Sequence, residues 1–106
     1  MKIKDLPVNE LPRERFVLYG KENLSNSDLI SIVLRTGIKN KSVREISDNI
    51  LSYVGDINNL NNINMKELSN IKGVGDIKAI TLLAAIELGK RVSTQSVSIK
   101  MTLNNS

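Results

Sequence analysis

The sequence contains no cysteine and no histidine. Without thiols there is no disulfide framework and no thiolate metal site. Without imidazole the commonest general base and the commonest metal ligand are missing, and with them every Ser-His or Cys-His nucleophile pair. Carboxylates alone can hold Mg²⁺, but the donor set argues against a zinc hydrolase built from this chain by itself. Tryptophan is absent, and Phe16, Tyr19 and Tyr53 are the only aromatics. No apolar run approaches the ~20 residues of a membrane span. No long hydrophobic stretch follows Met1-Lys2-Ile3-Lys4-Asp5, so a signal peptide is not expected there. The expected compartment is the cytoplasm, with no membrane partner.

What is present is largely aliphatic. The 106 residues are 41% hydrophobic, enough for one domain with one modest core. A core of Leu, Ile, Val and Ala favours packed helices. The net charge of +4 and the isoelectric point of about 9.5 suit a polyanionic partner.

Helix signals follow one another along the chain. Residues 1–12, with Pro7 and Pro12, read as an irregular lead-in, and Pro12 suits the first position of a short helix that Gly20 stops. Ser25 with Asp28 is a capping-box variant that opens a second helix, for which Gly37 is a fitting stop. Ser42 with Glu45 repeats the signal, and Val43, Ile46, Ile50, Leu51 and Val54 recur at helical spacing up to Gly55. The Asn-rich stretch 56–64 reads equally as a connector or as one short helix. Asn64 with Glu67 caps a short helix to about Asn70. A long helix from about Ile77 to Val92 is apolar round most of its circumference and is expected at the centre of the core. Residues 93–106 are rich in Ser, Thr and Asn and read as a linker, a disordered tail or the start of a missing domain. The alternation from Val97 to Leu103 has strand periodicity but no partner strand.

One segment is more specific than the rest. Ile71-Lys72-Gly73-Val74-Gly75-Asp76 is a tight Gly-apolar-Gly turn leading directly into the long helix. Glycines there permit positive φ, and Val74 can point inward and pin the turn. The amides at the helix start are then unpaired and, with the helix dipole, form an anion site. Lys72 and Lys78 can flank a bound phosphate, whereas Asp76 can cap the helix but opposes a phosphate nearby. The alternative is a turn with no role beyond joining two helices. A dinucleotide-binding reading fails, because no strand precedes the glycines and a third glycine is missing.

An earlier turn is richer in charge. Arg35, Lys39, Lys41 and Arg44 come with no acidic residue among them. Gly37 and Gly73 occupy like positions between two helical patterns, as Gly55 and Gly89 do at or near the end of each second helix, which hints at an internal repeat. If the repeat holds, Gly37, Ile38 and Lys39 form a second hairpin, and Lys41 and Ser42 join the contact to a second phosphate. A solvated basic loop is the plainer reading. Arg13 and Arg15, flanking Glu14, read as surface residues.

Taken in order, Leu11-Pro12-Arg13-Glu14-Arg15, Leu24-Ser25-Asn26-Ser27-Asp28-Leu29, Leu34-Arg35-Thr36-Gly37 with Lys41-Ser42-Val43, and Ile71-Lys72-Gly73-Val74-Gly75 with Lys78-Ala79 resemble the N-terminal region of the bacterial RadC family. The resemblance covers roughly residues 5–92. It implies a tandem helix-hairpin-helix domain in a protein historically labelled as DNA repair. In that family the region precedes a JAB/MPN-type domain with a glutamate and a His-x-His…Asp metal set. This chain has no histidine to match that set, so a metalloprotease activity is not carried over.

The expectation is therefore an all-α protein: a small bundle of about five helices of tandem helix-hairpin-helix type with an irregular C-terminal tail. Residues 1–92 would form the DNA-binding domain and 93–106 the appendage. Backbone phosphates would be held by Lys72, Gly73, Val74, Gly75 and Lys78, and by Gly37, Lys39, Lys41 and Ser42, with little sequence preference. No catalytic residue, metal, cofactor or small-molecule substrate is expected. The rival is a protein-interaction or adaptor domain, serving a partner or the missing metallo-hydrolase. A glycosylase would need a base pocket and a downstream catalytic Asp or Lys, which nothing after Arg91 offers.

Overall fold

The computed structural model describes the backbone of residues 11–104 and the side chains of residues 11–94. Most of the lead-in read for residues 1–12 lies outside the described residues. Five α-helices follow in order: α1 (Pro12–Tyr19), α2 (Asn26–Leu34), α3 (Val43–Val54), α4 (Met65–Ser69) and α5 (Gly75–Asn104), with no strand among the described residues.

The helix starts are where the capping residues place them. Pro12 opens α1. The Ser25 hydroxyl accepts from the Asp28 amide and the Asp28 carboxylate accepts from the Ser25 amide, a reciprocal box. Asn64 and Glu67 do the same for α4. Ser42 accepts the Glu45 amide at the head of α3. Each such cap is worth about 1 kcal/mol. In the Asn-rich stretch a short 3-10 helix forms over Ile57–Asn61, capped by Asp56, and buries Leu60.

Helix ends depart from the sequence reading in two places. Helix α2 stops at Leu34, and Arg35, not Gly37, takes the left-handed φ of 72° while its amide bonds the Ser31 carbonyl. Gly37 is needed for another reason: a Cβ there would lie 2.2 Å from the Lys41 carbonyl oxygen. At the other end, α5 runs past Val92 to Asn104, through the Ser/Thr-rich residues and the alternating stretch. No Gly or Pro lies beyond Gly89 to stop it, and Gly89 itself is inside the helix.

The core is made by one face of each of α2 to α5. Ile30 and Leu34 of α2, Ile46, Ile50 and Val54 of α3, Leu68 of α4, and Ala79 and Leu82 of α5 are buried together with Ile71 and Val74 from the corner between α4 and α5. The expectation of a central, wholly buried α5 does not hold. Ala79 and Leu82 are buried and Leu83 and Ile86 half-buried, but Ile77, Ile80, Leu88 and Val92 are exposed. Too few helices surround α5 to cover more than one of its sides.

A polar seam joins α2 to α3 and runs to α1. The Ser27 hydroxyl donates to Asp48 at 2.7 Å, and Ser31 and Ser47 hydroxyls meet at 2.9 Å in the interior. Asp28 is fully buried and holds the guanidinium of Arg44 and, at 3.5 Å, that of Arg15. Arg15 is thus a buried member of the seam and not a surface residue. Burial would raise the Asp28 carboxyl, but the hydrogen bonds from Arg44 and from the backbone and side chain of Ser25 outweigh it and hold its pKa below the ordinary carboxylate value.

Candidate nucleic-acid interface

The corner between α4 and α5 takes the geometry that its glycines demand. Gly73 has φ 91° and Gly75 φ 65°, a region that side chains enter only at a cost of about 1–2 kcal/mol. Val74 points inward, buried in the core, and its amide bonds the Ile71 carbonyl at 3.0 Å. From α3, the Asn49 side-chain amide donates to the Lys72 carbonyl at 3.3 Å. The corner is thereby fastened on both sides.

Its remaining amides face no acceptor. Among the described residues the N–H groups of Gly73, Gly75, Asp76 and Ile77 make no hydrogen bond. Three of them open α5, where the helix dipole adds positive character. Lys72 is exposed and Lys78 half-buried, one on each side of the turn. Asp76 is exposed in the first turn of the helix and makes no cap, so its charge stands against an anion there.

The first turn is built differently. Ile38 and Lys41 exchange backbone hydrogen bonds at 2.9 and 3.2 Å, closing a tight turn with Lys39 and Asn40 at its tip. The amides of Ile38 and Lys41 are therefore occupied within the chain. The Ser42 hydroxyl serves α3, Arg44 is bound to Asp28, and Lys41 pairs with Glu45 at 3.6 Å. Of its four basic residues, only Arg35 and Lys39 stand exposed without an ion pair among the described residues. Gly37 is half-buried where residues 41–43 pass against it. The two turns are not equivalent copies of one device.

They are, however, neighbours. A Cβ at Gly73 would lie 3.0 Å from Cδ of Lys41 and 2.8 Å from Cγ1 of Ile46. The stem of Lys41 thus runs beneath the Gly73 corner, a long-range contact that no local pattern announces. Lys41 of the first turn and Gly73 of the second are thus in contact, whereas the sequence treats the two turns as separate.

The family model described as UPF0758 N-terminal matches residues 3–80. The chain belongs to the UPF0758 family. This is the RadC-family N-terminal region that the motifs resemble. A UPF0758 protein of Clostridium botulinum (strain Langeland) is 43% identical over 103 residues, covering 97% of this chain and 45% of the relative. Another, from Bacillus pumilus (strain SAFR-032), is 47% identical over 96 residues, covering 91% of this chain and 43% of the relative. The chain thus spans less than half the length of these bacterial UPF0758 relatives. No solved structure matches it. Among the described residues no helix is long and apolar enough to cross a membrane.

Proposed function

We propose that this UPF0758 region is a non-catalytic, helix-hairpin-helix-type module that binds duplex DNA through backbone phosphates with little sequence preference, in the DNA-repair context of the RadC label. The observation that carries this reading is the set of unclaimed amides at Gly73, Gly75, Asp76 and Ile77, flanked by Lys72 and Lys78 and adjoining the stem of Lys41. Main-chain donors of this kind hold an oxyanion but read no base. The occupied amides of the Ile38–Lys41 turn shift the weight of the reading to the second corner. There the first turn contributes charge, through the exposed Arg35 and Lys39, more than it contributes a second clamp. The lack of histidine and cysteine supports a role without chemistry of its own.

The test is titration of a labelled duplex at several salt concentrations. Each phosphate neutralised contributes about 0.9 to the slope of log affinity on log salt, so binding should weaken measurably between 50 and 200 mM salt. Scrambling the duplex sequence should leave affinity unchanged. Lys72→Glu with Lys78→Glu should lower it by at least roughly tenfold while the helical circular dichroism stays as it was. An unchanged affinity in that double variant would remove the corner from the interface. The exposed apolar face of α5 favours a second reading, an adaptor that docks a partner or the rest of the longer relatives, and that outcome would support it.

A further inference from the structure

Helix α5 carries two apolar faces. One, with Ala79, Leu82 and Ile86, packs on the core. On the opposite side Ile77, Ile80, Ala84, Leu88 and Val92 recur at the spacing of a second stripe. The large members of that stripe are exposed to 81% (Ile77), 58% (Ile80), 64% (Leu88) and 60% (Val92). A single exposed aliphatic needs no explanation, but a continuous helical stripe of them marks an interaction surface.

We infer that this stripe pairs with the same stripe of a second copy of the chain, antiparallel, about a two-fold axis through Ala84. Three features of the helix fit that occupant. Ala84 is the smallest residue of the stripe and lies at its middle, where a small side chain lets two helices approach to about 8 Å. A two-fold at Ala84 sets Ile80 opposite the partner's Leu88, while at each end Ile77 lies opposite the partner's Arg91 and next to the partner's Val92. On one flank of the stripe lie Asp76 near the start and Arg91 towards the far end. Reversal of direction brings Asp76 beside the partner's Arg91, and symmetry makes the pair twice. Arg91 is well exposed and already bridges Glu87 at 3.0 Å, so it is positioned on that flank in the monomer. A parallel pairing would instead stack Asp76 on its own copy.

A single helix pair covers less than the ~1,200 Å² of a permanent interface. A transient dimer with Kd on the order of 10 µM is expected. The inference rests on α5 alone and needs no DNA.

The absence of cysteine makes the register directly testable. Ala84→Cys places one thiol at the proposed axis, where helices in close contact bring Cα atoms within disulfide range. Mild oxidation should give a covalent dimer within the folded state. Ile77→Cys should not link to itself, because the two copies would lie about 20 Å apart along the antiparallel helices. Sedimentation of the unmodified chain should show concentration-dependent dimerisation, and Leu88→Asp should raise Kd by roughly a hundredfold. Asp76→Arg and Arg91→Asp should each weaken the dimer, and the two together should restore it. A chain that stays monomeric up to about 1 mM, far above the expected Kd, would overturn the inference. So would self-linking of Ile77→Cys as readily as Ala84→Cys, or a charge-reversed double variant no better than the singles.

Discussion

Replacing Asp28 by asparagine removes one charge and keeps the shape of the side chain. In the native chain this fully buried carboxylate accepts from the Ser25 amide at 3.2 Å and binds the guanidinium groups of Arg44 and Arg15. The three partners are not of equal weight. The Arg44 side chain is 36% exposed, so water screens it and its pairing contributes less than about 1 kcal/mol. The Arg15 side chain is only 9% exposed, so water screens its attraction to Asp28 little. Breaking a buried pair from one side costs about 3–5 kcal/mol. The capping box of α2 is weakened as well, by about 0.5–1 kcal/mol. Against a total stability of ~5–15 kcal/mol, the loss is large, and the melting temperature should fall by at least ~12 °C.

Thermal and urea unfolding followed by far-ultraviolet circular dichroism measure it. Arg15→Met should cost less in the Asp28→Asn background than in the native chain, because the ion pair between them is already broken there. The pH dependence gives an independent reading. The folded pKa of Asp28 lies below its unfolded value of about 3.9. Its contribution is therefore complete above the unfolded value and is lost as pH falls through the folded one. The melting temperatures of the native chain and of Asp28→Asn should converge as the solution is acidified. A drop of under ~3 °C at neutral pH, below what 1 kcal/mol produces in a domain of this size, would refute the claim that this seam organises the fold.

Two further expectations concern other elements. Gly37→Ala should destabilise through overpacking by about 1–3 kcal/mol or more, because the new Cβ would meet backbone at 2.2 Å. Gly55→Ala should cost only the left-handed φ of 74°, about 1–2 kcal/mol, since nothing lies within 4 Å. The reverse ranking of urea midpoints would contradict the described backbone. The Tyr53 hydroxyl donates to Glu67 at 3.0 Å, and this bond, with lesser contributions from burial and the Glu67 charge, raises its pKa. Alkaline absorbance titration in a Tyr19→Phe background should show Glu67→Gln ionising at lower pH, and coincident curves would mean the bond is absent in solution.

Much of the local structure was legible in the residues. Ser25 with Asp28, Ser42, Asn64 with Glu67, and Pro12 each fix a helix start through groups within one turn of the backbone they serve, so sequence proximity is enough. Val74, Gly73 and Gly75 declared their corner for the same reason: positive φ and an inward apolar residue are local demands. The candidate site was legible only in part. Lys39 and Lys41 were visible as charge, and Lys41 with Glu45 stands at i,i+4 spacing, but nothing in a linear sequence says that Lys41 lies beneath Gly73. Arg15 could not be told from Arg13, since both flank Glu14 and only Arg15 meets Asp28 across the packing of α1 on α2.

What the sequence determined by itself is an all-α chain of the UPF0758 type, with its helix starts and its one glycine-built corner, because caps, periodicity and φ preferences act over a few residues. What the tertiary structure decided is which side of each helix is covered. That choice buries Asp28 with Arg15 and brings the two turns together. It also leaves one stripe of α5 bare. Burial and pairing depend on residues far apart in the chain, and their energies exist only once the helices have met.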